Sequence, residues 1–486
     1  MSANITAPAT SWEVSHGDQA WQLTAATFVA LQSMPGLVMI YAGLSKSKWA
    51  INSAFMGIYG FAATLLVWVL YAYSMSFGDE WIPICGIPMP VLSMGRMLSQ
   101  SKIPATHTQQ SFNLTTTVYY QFCFAAITVI IIAGSLLGRM TFLSWAIFVP
   151  LYVSLTYTVG AFSIWAGGFL EYANVEEAAA DIFRDLGVLD YCGGYVIHVA
   201  SGTAGFVAAA LVGPRHPTDR ADHRPSNLSF VIIGACILAI GWTGFNGGGA
   251  YTANANASVA VLNTYICWTV SVLSWMFCDV LYYGKLGILG AVQAMITGLV
   301  VVTPGAGFVP GWAAIVMGIL AGGVPWVTLN LLGRFPPLCY VDDTLGGVHT
   351  HLLAGIIGGL STGVFATREG VESFGLTRAA GGAIEGNWRQ LWIQAVGFLF
   401  IIAWNAVWTA LILIFIRVVC RVPLRMTETT LLVGDEAAHG ESAYHMDLPP
   451  LTQQNVYEVD HYAKSMVTTT ASVGRSSFNQ PDVIPV

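Results

Sequence analysis

The chain has 486 residues, 55% of them apolar and only 9% charged, against roughly 25% charged in an ordinary soluble domain. Lys and Arg number 19 and Asp and Glu 26, a formal charge of -7, so a water-soluble enzyme is excluded and no basic block offers a nucleic-acid surface. A mean hydropathy of +0.63, with 51 Gly and 16 Trp, fits instead a polytopic protein of the lipid bilayer whose helices pack closely and whose rims carry aromatics.

Residues 1–19 lack a cationic stretch and a separate short apolar run with a cleavage site, so the first span itself is expected to direct insertion. At about 20 mostly apolar residues per span, the chain reads as all-α with eleven transmembrane helices over 20–416: residues 20–45, 51–77, 117–138, 142–168, 191–213, 229–249, 259–283, 286–303, 312–333, 345–367 and 391–416. An odd count puts the termini on opposite sides. With residues 1–19 outside, Lys46, Lys48, Arg139, Arg215, Arg220, Arg224, Lys285, Arg334, Arg417, Arg421 and Arg425 fall inside, and only Arg96, Lys102, Arg184, Arg368, Arg378 and Arg389 fall outside. The positive-inside rule favours that orientation, which makes 417–486 a cytoplasmic tail.

Carboxylates run the other way. Glu13, Asp18, Asp79, Glu80, Glu171, Glu176, Glu177, Asp181, Asp185, Asp190, Glu369, Glu372 and Glu385 lie on the outer side, where they either raise the local concentration of a small cation or simply solvate loops. The tail is expected to be regulatory near 417–445 and disordered beyond, where helical period and apolar content end. Cys123, Cys236, Cys267 and Cys278 sit inside apolar runs as packing residues, and the eight Cys form no disulfide pattern.

An internal repeat carries most information. Asp190, Gly193, Gly194, His198, Gly202 and Gly205 in DYCGGYVIHVASGTAG recur in register as Asp343, Gly346, Gly347, His351, Gly355 and Gly358 in DTLGGVHTHLLAGIIG, 153 residues later. These segments belong to the fifth and tenth spans. An offset of five spans reverses direction in the membrane, so the chain reads as two inverted five-helix repeats plus one extra helix. In each repeat the glycines four and seven residues after the His share its helical face, which permits close approach of the two helices. That would bring His198 and His351 together near mid-membrane, where an ionisable group defaults to a functional reading; the alternative is two core histidines, each bonded to a carbonyl. His349 stands about 200° around the helix from His351 and is expected to point elsewhere. Two imidazoles with no Cys, Asp or Glu at ligand spacing are too few for a transition-metal site. Asp190 and Asp343 either orient the site or cap their helices.

With QFCFAAITVIIIAGSLLGRM at 121–140, IGWTGFNGGGAYTANA at 240–255 and VDDTLGGVHTH at 341–351, the chain resembles the ammonium transporter family (Amt/Mep/Rh), in detail a plant-type member of the second ammonium transporter subfamily, from about residue 20 to GDEAAHGESAY at 434–444. The resemblance implies a homotrimer with one pore per subunit, ammonium or ammonia as substrate, a plasma-membrane location, and no cofactor, metal or catalytic residue. It implies substrate recruitment by Trp165, Phe124 and Asp190, aromatic gates at Tyr120 and Phe245, and His198 and His351 as paired pore histidines. Where bacterial relatives carry a vestibule Ser, three residues after Asn246, this chain has Gly249. In the regulatory tail it reads Gly434, Asp435, Glu436, Ala437, Ala438, His439, Gly440, without the phosphorylatable Thr of the first plant subfamily. Thr427, Thr429 and Thr430 are other hydroxyls nearby, with an ordinary juxtamembrane role as the alternative.

These residue types suit ammonium. Ammonium and potassium share charge and similar size, so an aromatic vestibule concentrates both by cation–π attraction of about 0.5–2 kcal/mol. Ammonium alone can shed a proton and cross an apolar lumen as neutral ammonia, while a bare cation faces a penalty of roughly several kcal/mol. Neutral imidazoles offer a donor and an acceptor each, enough to bond one another and still meet ammonia or relay a proton. Two other classes share some of these features: a non-transporting ammonium receptor, and a neutral-solute channel for urea or water.

Overall fold

The computed structural model describes residues 12–103, 108–171, 187–221, 224–376 and 380–444. The expectations for residues 1–11, for Glu176, Glu177, Asp181, Arg184, Asp185 and Arg378, and for the tail beyond 444 lie outside the described residues.

Among these residues eleven helices are long and apolar enough to cross a membrane. They are α1 (His16–Leu44), α2 (Ser47–Phe77), α3 (Leu114–Gly134), α4 (Phe142–Trp165), α5 (Gly194–Val212), α6 (Leu228–Ala250), α7 (Ala255–Tyr283), α8 (Ile288–Gly305), α9 (Gly311–Arg334), α10 (Val348–Phe365) and α11 (Arg389–Val418). Each coincides with one span expected from sequence, its ends shifted by no more than about one helical turn. The chain is thus a multi-pass membrane protein. Burial follows composition: α3 is apolar on every side and almost wholly enclosed, while α7, α9 and α11 leave most of their apolar surface facing outward, as lipid-facing helices do. Between α2 and α3 two short antiparallel hairpins, β1 (Glu80–Ile82) with β2 (Cys85–Gly86) and β3 (Gln100–Ile103) with β4 (Thr108–Asn113), cover that end of the bundle.

Several spans contain a wider π-helical turn. In α1 it holds Pro35 (Gln32–Gly36), and in α4 it follows Pro150 (Val153–Tyr157). Proline donates no amide and its ring crowds the carbonyl a turn earlier, so the ladder is re-spaced there. More telling is the position of such a turn at the start of both α5 (Gly194–Val199) and α10 (Val348–Leu353), the segments carrying His198 and His351. π turns inside α-helices concentrate at functional positions.

The inverted repeat is visible in the packing. A Cβ on Gly202 would lie 2.4 Å from the Leu352 amide nitrogen, and one on Gly355 would lie 3.2 Å from that of Val199. The two His helices therefore cross antiparallel, the glycine strip of each receiving the first turns of the other. α1 and α6, the opening helices of the two halves, pack antiparallel in the same manner. A Cβ on Gly244 would meet Ala25 O at 2.4 Å and one on Gly43 would meet Asn227 O at 2.7 Å. These reciprocal contacts fit a pseudo-two-fold axis that runs between the two members of each pair. Glycine is required at these crossings because backbone lies directly against backbone.

Candidate functional site

The site is a column of rings running inward from one end of the bundle. At its mouth Trp165, the last residue of α4, donates its indole N–H to Asp190 O at 2.7 Å, which fixes the ring. Phe124 on α3 meets Trp165 edge-on, centroids 6.5 Å apart, and stacks on Phe245 of α6 at 4.3 Å. Phe245 is followed by Trp242 at 4.6 Å and by His198 at 6.1 Å. His198 in turn stacks on His351, centroids 5.3 Å apart. Beyond it an inner cavity opens, bordered by His351, Trp242, Ile131, Leu37 and Tyr41. The vestibule at the mouth of the column is bordered by Phe124, Trp165, Tyr251, Gln121 and Glu171.

His198 Nδ1 and His351 Nδ1 face each other at 3.2 Å. One of them must carry the proton and the other accept it. Each neutral ring then turns its remaining Nε2 outward with the opposite character, one an acceptor and one an N–H donor, and the two roles swap when the bare Nε2 gains a proton, the shared Nδ1 proton crosses and the other Nε2 releases its own. His198 Nε2 is buried and has no hydrogen-bond partner among the described residues. Such an arrangement can meet a small neutral solute that both donates and accepts. His349, as expected, turns away, its Nδ1 3.1 Å from Thr328 Oγ1.

Asp190 is a helix cap. Its Oδ1 accepts the amides of Gly193 and Gly194 at 2.9 and 2.6 Å, and its Oδ2 those of Tyr195 and Val196 at 2.9 and 3.2 Å. Asp343 caps the corresponding helix of the second half with one bond, its Oδ2 accepting Val348 N at 2.8 Å. A carboxylate satisfying the free amides of a helix start also complements the helix dipole. Asp190 therefore borders the vestibule with its lone pairs already committed.

The ring lying over Phe245 is Phe124, from the recruitment set, while Tyr120 stands behind it and donates its hydroxyl to Phe245 O at 2.7 Å. Tyr120 thus fastens the backbone under the stacked pair. Gly249 also has a structural reason: a Cβ there would lie 2.3 Å from Cys192 Sγ and 2.9 Å from Tyr191 Cε1, so the space for a side chain is taken.

At the other end, Arg139 is fully buried and donates to Gly213 O, Ser135 O and Thr344 Oγ1 at 2.7, 2.6 and 2.6 Å, and to Asp342 O. Arg215 grips the Asp342 carboxylate, its Nη2 2.8 Å from Oδ1. Burial pushes that carboxyl up, but the Arg215 hydrogen bonds and charge, with Arg139 behind, outweigh it and hold it down at about 2. The tail joins this end. Met426 N donates to Arg139 O at 2.9 Å, and two short helices follow, α12 (Glu428–Val433) and α13 (Asp435–His439). Asp435 accepts the amides of Ile51 and Asn52 at the start of α2, at 2.7 and 2.9 Å. His439 Nε2 lies 2.9 Å from Asn52 Nδ2, and Lys48 Nζ donates to Leu431 O at 2.8 Å. Gly434 sits at φ 92°, where a side chain would strike Lys48 O, and Gly440 closes α13 at φ 73°. Thr427 serves as N-cap of α12, accepting Thr430 N at 3.3 Å.

Sequence reasoning passed over Gln121, Tyr251 and Cys192. A signal existed for the first: a primary amide within a continuous apolar span is costly unless it has a task. Cys192 and Tyr251 lie just outside helices, and only the fold brings them to the vestibule.

An aromatic vestibule, a stacked phenylalanine constriction and a histidine pair within an inverted-repeat bundle define a membrane transport protein for a small solute. Residues 20–444 match the Ammonium Transporter Family. Ammonium transporter 3 member 2 of Oryza sativa subsp. japonica is 49% identical over 456 residues, covering 91% of this chain and 92% of that one. Ammonium transporter 2 of Arabidopsis thaliana is 49% identical over 435 residues, covering 89% and 88%. The crystal structure of Saccharomyces cerevisiae Mep2 superposes with a TM-score of 0.73 at 25% identity, covering 86% of this chain and 89% of that one. The chain belongs to the ammonium transporter family.

Proposed function

We propose that the protein transports ammonium: a cation is recruited at the Trp165–Phe124 vestibule, loses a proton at or above the Phe124–Phe245 constriction, and crosses the lumen as ammonia past His198 and His351, with or without the proton. The observation that carries this reading is the Nδ1–Nδ1 contact of 3.2 Å directly beneath the stacked phenylalanines. A pathway walled by rings disfavours a bare cation. A coupled imidazole pair offers ammonia a donor and an acceptor and gives a released proton a route. We further propose an extracellular N-terminus, a cytoplasmic tail, a plasma-membrane location and a homotrimer with one pore per subunit, supported by the charge bias of the loops and by family membership. The tail's contacts with α2 and with Arg139 support a regulatory role for residues 417–445.

The test is reconstitution of the purified chain in liposomes, with current and internal pH recorded together after a jump in external ammonium at fixed pH, and His198→Ala as control. A saturable inward current lost in the mutant establishes net charge movement through the histidines. Internal alkalinisation without current establishes passage of ammonia alone. Silence in both channels overturns transport and leaves a receptor.

A further inference from the structure

Ammonium differs from an alkali cation of its size by carrying four N–H donors, and a site that holds it well gives those donors acceptors. The aromatic faces of Trp165 and Phe124 attract charge but supply no conventional lone pair. Several other polar groups around the vestibule are already engaged within the protein. Asp190 holds four backbone amides. The Tyr120 hydroxyl is on Phe245 O, the Tyr191 hydroxyl on Asn256 Oδ1 and the Cys192 thiol on Phe245 O. Glu171 is engaged in an interaction of its own, and Gly249 brings no side chain.

Gln121 is different. It is 3% exposed, borders the vestibule, and its Oε1 has no hydrogen-bond partner among the described residues. Its Nε2 donates to Tyr251 Oη, so the amide is anchored by its nitrogen and its oxygen is left over. On α3 it lies one helical turn before Phe124, on the same side. Tyr251 is itself held for this contact: it adopts φ 55°, a left-handed backbone that a bulky residue rarely takes, and its ring packs edge-on against Tyr120, centroids 5.8 Å apart. An unpaired buried amide oxygen costs stability, and a cation bearing N–H groups relieves that cost in a way that ring faces cannot.

We propose that Gln121 Oε1, anchored through Tyr251, is a hydrogen-bond acceptor for ammonium in the outer vestibule, in a chain that has no hydroxyl at position 249. This rests on the transport reading above and adds to it the group that receives an N–H of the substrate.

The test measures initial ammonium-driven rates against ammonium chloride concentration in proteoliposomes of the full chain. Gln121→Met keeps length and bulk without a strong acceptor, and the half-saturating concentration should rise about tenfold while the maximal rate stays within a factor of about two. Gln121→Glu retains an acceptor oxygen and should half-saturate at or below the wild-type concentration, an outcome that general damage to the vestibule would not produce. A Met variant that half-saturates like wild type, or a Glu variant that shifts upward as Met does, overturns the assignment. Should the Met variant fail to assemble, Tyr251→Phe decides: release of the amide should raise half-saturation about threefold, and an unchanged value overturns the proposal. A wild type that transports while these variants are indifferent removes the acceptor alone. A silent wild type removes the transport reading and the acceptor with it.

Discussion

Cys192 Sγ occupies the space into which a side chain on Gly249 would grow: a Cβ at 249 would stand 2.3 Å from it. The thiol donates to Phe245 O at 3.3 Å, so moving aside would cost that contact. Overpacking of this kind costs about 1–3 kcal/mol. Gly249→Ser is expected to destabilise the protein by that amount, and Cys192→Ala in the same chain to recover most of it. Thermal unfolding of the two single variants and the double variant measures the coupling; simply additive effects would refute the shared-space account.

His351→Ala leaves His198 with neither ring nitrogen paired, since its Nε2 already lacks a partner. Ammonium-driven flux should fall at least about tenfold and discrimination against potassium should be lost, because the polar steps of the pathway disappear together. Flux assays with and without competing potassium check this. Unaltered uptake and selectivity in both His198→Ala and His351→Ala would remove the pair from the pathway.

Trp165→Leu deletes the strongest ring face of the vestibule and the indole bond to Asp190 O. Loss of a cation–π contact of about 0.5–2 kcal/mol corresponds to a rise in half-saturating ammonium of roughly 2- to 30-fold, with the lumen and its maximal rate little changed. An unchanged concentration dependence takes Trp165 out of recruitment.

Docking of the tail should depend on pH. Burial raises the Asp435 carboxyl to about 6 although the amides of Asn52 and Ile51 pull it back. A carboxyl whose docked value lies above its free value binds its proton more tightly when docked. Docking therefore strengthens as pH falls through about 6 toward the free value near 4, and weakens as pH rises above it. Spin labels on Glu436 and Arg220, both exposed, should report a larger docked fraction at about pH 5.5 than at 7.5, and Asp435→Asn should abolish the difference. A docked fraction independent of pH in the wild type would contradict the assignment.

The end of the bundle that holds Arg139 carries a second titration of opposite sign. Asp342 is held at about 2 by Arg215, so its ion pair contributes fully above the free carboxyl value near 4 and is lost as pH falls through about 2. Asp342→Asn should cost on the order of 2 kcal/mol at neutral pH, read as a lower unfolding temperature, and little near pH 2. Equal stability of variant and wild type at neutral pH would deny the pair any net contribution.

Sequence alone determined the number of spans, their limits to within a turn, their inverted order and the meeting of His198 with His351. The reason is physical: hydrocarbon demands long apolar helices, so spans are written in composition, and a helix pair that crosses backbone to backbone must spell its contact in glycine, so the repeat around Gly202 and Gly355 is legible as spacing. The tertiary structure decided what depends on residues far apart in the chain. It put Phe124 rather than Tyr120 over Phe245, spent Asp190 on the α5 amides, filled the position beside Gly249 with Cys192, and set Asp435 on the start of α2. Orientation of a ring, sharing of a lone pair and occupancy of a gap are set by neighbours from other helices, and nothing in the periodicity of one segment encodes them.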